Sequence, residues 1–519
     1  MKQEVRMAAM DAVRARAQEQ GLFFFHDHFQ EPWLTVPVGN HRESWLIKSR
    51  ELFLWIAKTL RDNNFPYTKP LVKAIVDEFE MVSLVDGPML DVFVRVGANE
   101  EAIYLDLADA EWRCVEITKA GWRILKGEAG VKFRRSPGMA ALPLPVPGGS
   151  CKEILRFLNV RPEHEILFLS WLTFCFRPQG PYPILSMSGP QGAGKSTSAK
   201  TLRGLMDPNI ARLVGAPRDK RSLIMAASNS RLLCFDNMSQ ITAEMSDLFC
   251  TIAVGGAHTE RKYYLNDGTM VTFVFQNPIC VNGISELPER PDLLDRCLVA
   301  NLLGIADQDR RTEEAFWREF NAVSPRLLGA VLDAVVEGME RLDSVVLPEV
   351  PRMADFCRWG VAVESKLGYP PGSFLAAYRR NLADVNAAAL ENSPVAWSFH
   401  HFLRSIPERY FKGTAQQLLR DLNEYLALHD DRGSGKPLPL QHPKWPKSAS
   451  ALSGEIARVQ PNLGKLGIAV SRGRTKARRW VELRAATDAV PMTAAPNDDA
   501  QSTRTVTHNP KKKQSGRKG

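Results

Sequence analysis

The chain lacks any apolar run of about eighteen residues, the length a membrane-spanning helix needs, so no membrane span is expected. Its opening residues, Met1-Lys2-Gln3-Glu4-Val5-Arg6, lead into a charged helix and not a secretory signal. Cysteine is sparse, eight in 519 residues, and none forms a C-x-x-C pair. That spacing excludes the common zinc and disulfide frameworks and points to reduced thiols in a cytoplasmic protein. His26-Asp27-His28 has no further ligands at useful spacing, which favours a loop or strand edge over a metal site. No internal repeat is present.

Positive charge is confined to one end. From Asp431 to Arg484 there are twelve Lys/Arg against three Asp/Glu, and from Ala485 to Gly519 six against three. The whole chain carries only +9, so residues 1–430 are mildly acidic. A localised basic surface suits a polyanionic partner.

The most informative motif is Gly189-Pro190-Gln191-Gly192-Ala193-Gly194-Lys195-Ser196, followed by Thr197. It fits the phosphate-binding loop, a glycine, four free positions, then Gly-Lys-Ser/Thr. Gly192 and Gly194 allow a tight turn that aims N–H groups at phosphate oxygens. Lys195 brings a mobile cation to the outer phosphates, and Ser196 offers a hydroxyl to Mg²⁺. Tyr182 to Ser188 reads as a buried strand before the loop, and Lys195 to Met206 as a helix after it. Such a helix points its positive end at the phosphates. ATP and Mg²⁺ are the expected ligands.

Arg231 to Asn237 reads as an apolar strand ending in an acid, 41 positions past Lys195. Asp236 is the expected metal-side carboxylate, with Ser196 the other metal contact. Asn237 stands where many such ATPases place a water-polarising glutamate, and an amide cannot accept a proton. Either another carboxylate does that work, Asn237 only orients the water, or hydrolysis is slow. Asn266-Asp267-Gly268 predicts a hairpin turn whose first arm carries Arg261 and Lys262. Asn277 to Gly283 predicts a strand ending at Asn282, a residue suited to a γ-phosphate or its water. Arg290 and Arg296 bracket Pro291-Asp292-Leu293-Leu294-Asp295.

This ordered set, with Phe235-Asp236-Asn237-Met238-Ser239 and Pro351-Arg352-Met353-Ala354-Asp355-Phe356, resembles AAA+ ATPases, and most of all superfamily III helicases. It is similar to the helicase-like, often primase-associated ATP-binding proteins of bacterial mobile elements and prophages. The resemblance implies an α/β fold with an AAA+-type core. It implies that Asn282 is a sensor, that Arg296 (or less well Arg290) acts on a neighbouring subunit's nucleotide, and that the hairpin grips single-stranded DNA in the pore of a hexameric ring. The catalytic set would be Lys195, Asp236, Asn237, Asn282 and Arg296.

Five segments are expected. Residues 1–149 form a β-rich accessory domain that includes a helix over Glu43–Asn63, and a Pro/Gly-rich linker follows from Met139 to Gly149. Residues 150–305 form the ATPase core, and 306–430 a helical lid region with separate helices near Ala315–Phe320 and Leu327–Leu342. Residues 431–484 form a basic winged-helix-like module whose loop carries Arg472, Arg474, Lys476, Arg478 and Arg479. Residues 485–519 are polar and aperiodic, as in a disordered tail. The leading expectation is an ATP-driven DNA translocase or helicase of a mobile element, with a primase among its candidate partners. The other is a nucleotide-gated DNA-binding switch, an initiator or defence regulator, that turns ATP over slowly.

Overall fold

A computed structural model describes residues 3–238, 241–261, 270–283, 291–391, 393–428, 440, 442, 445–465, 467–474 and 479–486. The chain divides into two compact units, Met1–Trp397 and Ser398–Gly519. Among the described residues no helix is long and apolar enough to cross a membrane.

The first unit opens with α1 (Gln3–Glu19), then β1 (Phe23–His26), β2 (Pro32–Val38) and β3 (His41–Leu46), an antiparallel sheet in that order. The helix expected over Glu43–Asn63 is shorter. Glu43 to Leu46 pair with β2 as strand, and α2 (Arg50–Asp62) starts only after Ser49, whose hydroxyl accepts from Leu52 N at 3.3 Å. A cap at Ser49 ends the strand reading and begins the helix. Helix α3 (Lys69–Val85) completes this layer, with Leu71, Ile75 and Phe79 packed against Leu52, Ile56 and Leu60 of α2.

Next come β4 (Val92–Phe93), β5 (Val96–Ala98), β6 (Ile103–Asp106), β7 (Cys114–Thr118), β8 (Gly121–Leu125) and β9 (Lys132–Phe133). Strands β5 to β8 form an antiparallel meander, and β4 pairs with β9. The meander is not a separate body. Its Leu105, Val115 and Ile117 share one apolar core with Leu167, Trp171 and Leu332, and Trp122 Nε1 donates to Asp333 at 2.8 Å. The boundary expected at 149/150 therefore does not separate two units.

Helix α4 (Pro162–Phe174) is buried on every side from Ile166 to Phe174. It is followed by β10 (Ile184–Ser188), α5 (Lys195–Met206), β11 (Val214–Gly215), α6 (Lys220–Asn229), β12 (Leu233–Asp236), α7 (Ala243–Val254), β13 (Gly256–Arg261), β14 (Met270–Phe275), β15 (Ile279–Asn282), α8 (Pro291–Leu294) and β16 (Cys297–Asn301). Five of these strands make a parallel sheet, ordered β11-β12-β15-β10-β16. Strands β12, β15, β10 and β16 are buried on both faces, as parallel sheets are, while the edge strand β11 is exposed. Ile184, Leu233 and Val281 join one core, while Leu185, Cys234 and Cys280 join the other. Period-two side-chain alternation produces that division. Strands β13 and β14 pair from Gly256–Phe275 to Arg261–Met270. The expected turn of this hairpin, with Lys262, lies outside the described residues.

One helix, α9 (Glu313–Arg341), replaces the two expected there. Pro325 lies inside it and has no N–H for the Asn321 carbonyl. The Ser324 hydroxyl donates to that carbonyl at 3.1 Å, so the helix continues. Helices α10 (Ala354–Val363) and α11 (Ser373–Glu391) follow.

The second unit contains most of α12 (Pro394–Ser405), then β17 (Tyr410–Gly413), α13 (Ala415–Leu428), α14 (Ala449–Lys465), β18 (Ile468–Arg474) and β19 (Arg479–Ala485). Its sheet is antiparallel, ordered β17-β19-β18. The break expected at 430/431 falls at 397/398, because β17 pairs Tyr410 with Arg484 and commits the preceding segment to the same sheet. Thr414 and Gln417 form a capping box that starts α13. Leu418, Leu422 and Leu426 are its buried stripe. The tail beyond 486 lies outside the described residues.

Candidate functional site

The candidate site lies at the C-terminal ends of β10, β12 and β15. Gly194 is the N-cap of α5, at φ 80°, and Gly192 sits at φ 79°. Both angles are in the left-handed region that favours glycine. The first N–H groups of a helix have no partner within it, so the loop presents donors at its open end.

Lys195 folds back over its own loop. Its Nζ donates to the carbonyls of Gly189 and Pro190, at 2.7 and 2.9 Å. Ser196 Oγ donates to Asp236 Oδ1 at 2.9 Å, joining residues 40 apart. A hydroxyl and a carboxylate are hard oxygen donors, the chemistry that Mg²⁺ takes when phosphates supply other ligands. Among the described residues no group of three or more His, Cys, Asp or Glu could hold a metal by itself. His26 and His28 do not converge: His26 Nδ1 lies 3.0 Å from the Asp27 carbonyl, and His28 Nε2 lies 3.1 Å from Asp91.

Asn282 is buried at 2% exposure, one strand over. Its Oδ1 accepts from Asn237 N at 2.9 Å and its backbone carbonyl accepts from Met238 N at 2.9 Å. This clamp holds Asn237 at φ 55°, a left-handed conformation that asparagine tolerates. Gly283 permits the approach, since a Cβ there would sit 2.8 Å from Asn237 Cα. The Asn282 Nδ2 donor is buried with no hydrogen-bond partner. Because β15 lies between β12 and β10, Asn282 stands between the acid-bearing strand and the loop strand.

Arg296 is engaged within its own segment. It pairs with Asp292 Oδ1 at 2.6 Å and donates to the Asp292 carbonyl at 2.7 Å. Arg352 also pairs with Asp292, and with Asp295 at 3.4 Å. Hydrogen bonding from Arg296, and then from Arg352, holds the Asp292 carboxyl below its ordinary range. Arg290 and Lys262 lie outside the described residues, as do Lys476 and Arg478. Arg261 ends β13, opposite Met270. Arg472, Arg474 and Arg479 lie on strands β18 and β19 and not in a loop, all three exposed. Arg472 donates to Gln460 Oε1 at 2.9 Å, and Arg474 is opposite Arg479.

The structure adds residues that motif reading passed over. A cavity of about 830 Å³ opens beside the loop, lined among others by Gly192, Thr197, Asn159, Arg310 and Trp317. A Cβ on Gly192 would lie 3.5 Å from the Arg310 guanidinium. The Arg310-Arg311 pair is visible in the sequence, but its place at the loop depends on how the chain returns after β16.

All eight cysteines are free and buried. Burial pushes the Cys250 thiol up to about 11 and the Cys151 thiol up to about 12, so neither serves as a thiolate.

Two family descriptions match this chain. Residues 152–388 match the actinomycete integrative conjugative element replication protein, and residues 395–500 match the C-terminal domain of that protein. No curated protein matches. An A-form apo structure of the NrS-1 C terminal region aligns at 12% identity and TM-score 0.39, over 91% of this chain and 98% of that one. Another apo structure, of NrS-1 C terminal region 305–718, aligns at 11% identity and TM-score 0.38, over 92% and 99%. Over about two thirds of its length, this chain is similar to the replication protein of actinomycete integrative conjugative elements, a protein of mobile-element replication.

Proposed function

We propose that the chain is an ATP-dependent DNA translocase or helicase acting in the replication of a mobile element. The observation that carries this reading is the 2.9 Å contact between Ser196 and Asp236 at the mouth of a glycine loop. Two residues 40 apart in sequence, of the two types that magnesium-nucleotide chemistry needs, meet at the edge of a parallel sheet. Ligands of open α/β sheets bind at that edge.

The roles follow from the contacts. Lys195 would exchange the carbonyls of Gly189 and Pro190 for β- and γ-phosphate oxygens. Gly192, Ala193, Gly194 and Thr197 would surround the phosphates, with Pro190 and Gln191 forming the outer lip. Ser196 and Asp236 would hold Mg²⁺, which neutralises charge on the transferring phosphoryl group. Asn282 has an unpartnered donor for the γ-phosphate or its attacking water. Placing β15 between the loop strand and the acid strand supports an AAA+-type core. To act on a neighbour, Arg296 would have to leave Asp292, so a ring contact would need to offer it a stronger anion. The order α12-β17-α13-α14-β18-β19 with sheet order β17-β19-β18 supports a winged-helix module. Its exposed Arg472, Arg474 and Arg479 suit DNA phosphates. A hexameric ring, single-stranded DNA in its pore and a partner primase belong to the same proposal.

The test is ATP turnover by purified chain with and without single-stranded DNA, alongside Lys195→Ala. DNA should stimulate turnover and the substitution should abolish it. Equal turnover with and without DNA counts against a motor.

Asn237 favours a second reading, a nucleotide-gated switch. Its exposed amide stands after Asp236 and cannot take a proton from water. DNA binding and assembly that require ATP but proceed with a non-hydrolysable analogue would select this reading.

A further inference from the structure

We propose that a second cavity, on the flank of α5 away from the glycine loop, binds the phosphoryl group of a small, nucleotide-sized ligand through Arg203. The cavity measures about 580 Å³, within the range of small-ligand sites. It is formed by Ala140–Pro143, the second half of α5, Pro208–Ile210 and α9. Among the described residues three cations line it, Lys200, Arg203 and Arg212, and no carboxylate does.

Arg203 is the anchor. It is 5% exposed, its Nε is buried without a partner, and neither a hydrogen bond nor an ion pair holds its guanidinium. A guanidinium cannot escape burial by losing its proton. A buried cation is costly unless an anion meets it. The neighbouring carboxylate is already engaged elsewhere. Asp207 pairs with Arg95 at 3.1 Å and accepts from the backbone N–H groups of Arg231 and Leu232 at 2.8 and 3.2 Å.

Arg95 provides the contrast. It is fully buried behind the same wall, and its guanidinium is held by Asp207 and by the carbonyls of Asp106, Ala140 and Pro208. One arginine is matched within the protein and the other is not. The unmatched one lines the cavity.

The remaining walls suit the same ligand. Arg212 lies over the Trp317 ring at 4.9 Å and is exposed, so it can swing to an incoming anion. Lys200, 3.2 Å from Glu313, and Trp317 also line the cavity beside the glycine loop. The two cavities therefore share a wall, and an anion in one competes with Glu313 for Lys200.

Calorimetric titration of the full chain with pyrophosphate and with ADP tests this. The wild type should show two classes of site. Lys195→Ala should remove one class. Arg203→Met should remove the other, and the ligand-free variant should melt no earlier than wild type, because an unmatched buried charge is gone. Arg212→Glu, at an exposed position that does not threaten folding, should weaken that second class by roughly tenfold or more. If Arg203→Met fails to fold, Arg212→Glu decides. A single class in the wild type, unchanged second-class binding in Arg212→Glu, or competition by oligonucleotide DNA alone would overturn the proposal.

Discussion

The five-stranded sheet of the first unit is parallel and presents its candidate residues at strand ends. The three-stranded sheet of the second unit is antiparallel and carries its arginines along the strands. At the parallel sheet, Ser196, Asp236, Asn237 and Asn282 hold one another through contacts near 2.9 Å. At the antiparallel sheet, Arg472, Arg474 and Arg479 are exposed along the strands, and none of their side chains bonds to another of the three. The first arrangement suits a reaction, in which one misplaced group stops the step. The second suits a polyanion, whose phosphates are met by several interchangeable charges.

The largest effect that could sharpen this contrast is at the loop. Lys195→Ala or Asp236→Asn should lower ATP turnover by about a thousandfold, as loss of a principal electrostatic group does. Circular dichroism should be unchanged. A variant that keeps more than a tenth of its turnover would break the comparison.

Next is Asn282→Ala. It removes the unpartnered Nδ2 and frees Asn237 N, so turnover should fall on the order of a hundredfold. Nucleotide binding, read by calorimetry, should persist. Equal loss of binding and turnover would make Asn282 a structural clamp only.

A third effect separates stability from chemistry. Burial in α12 pushes the His400 imidazole down to about 4 from 6.5, with Arg404 and His401 adding to the shift, and its Nε2 has no hydrogen-bond partner. The folded chain keeps His400 neutral while the unfolded chain protonates it. That contribution is present above about pH 6.5 and is lost as pH falls toward 4, about 3 kcal/mol in all. Denaturant midpoints over that window should decline with pH. His400→Leu should flatten the slope, and an unaltered slope would show that other groups govern it.

The smallest effects belong to the arginines. Arg472→Ala, Arg474→Ala or Arg479→Ala alone should weaken DNA binding modestly at every sequence and lower the salt slope by about one. A single substitution that abolished binding, or changed sequence preference, would show that this sheet works like the first.

Much of the site could be read from the chain. The glycine loop, the acid-ended strand and the Asn-ended strand are local patterns, because a turn, an apolar run and a strand end are written in neighbouring residues. Helix α5 begins at Lys195 and ends at Met206 as its periodicity implied. Boundaries that depend on distant pairing were not legible. Strand β17 reads as an unremarkable Tyr-Phe-Lys-Gly until β19 pairs with it, and Glu43–Leu46 look helical until β2 lies beside them. Two helical stretches, Ala315–Phe320 and Leu327–Leu342, prove to be one helix, which runs on through Pro325 where the Ser324 hydroxyl takes the Asn321 carbonyl.

By itself the amino-acid order determined which residues could do chemistry and which end of the chain is basic, since residue type and near-neighbour spacing are one-dimensional properties. Tertiary structure alone decided which charges are matched. Arg296 meets Asp292 and Arg352 joins them, Arg95 meets Asp207, and Arg203 is left facing a cavity. Whether a charge is paired depends on separations of a few ångströms between groups that chain folding brings together, and sequence distance does not encode those separations.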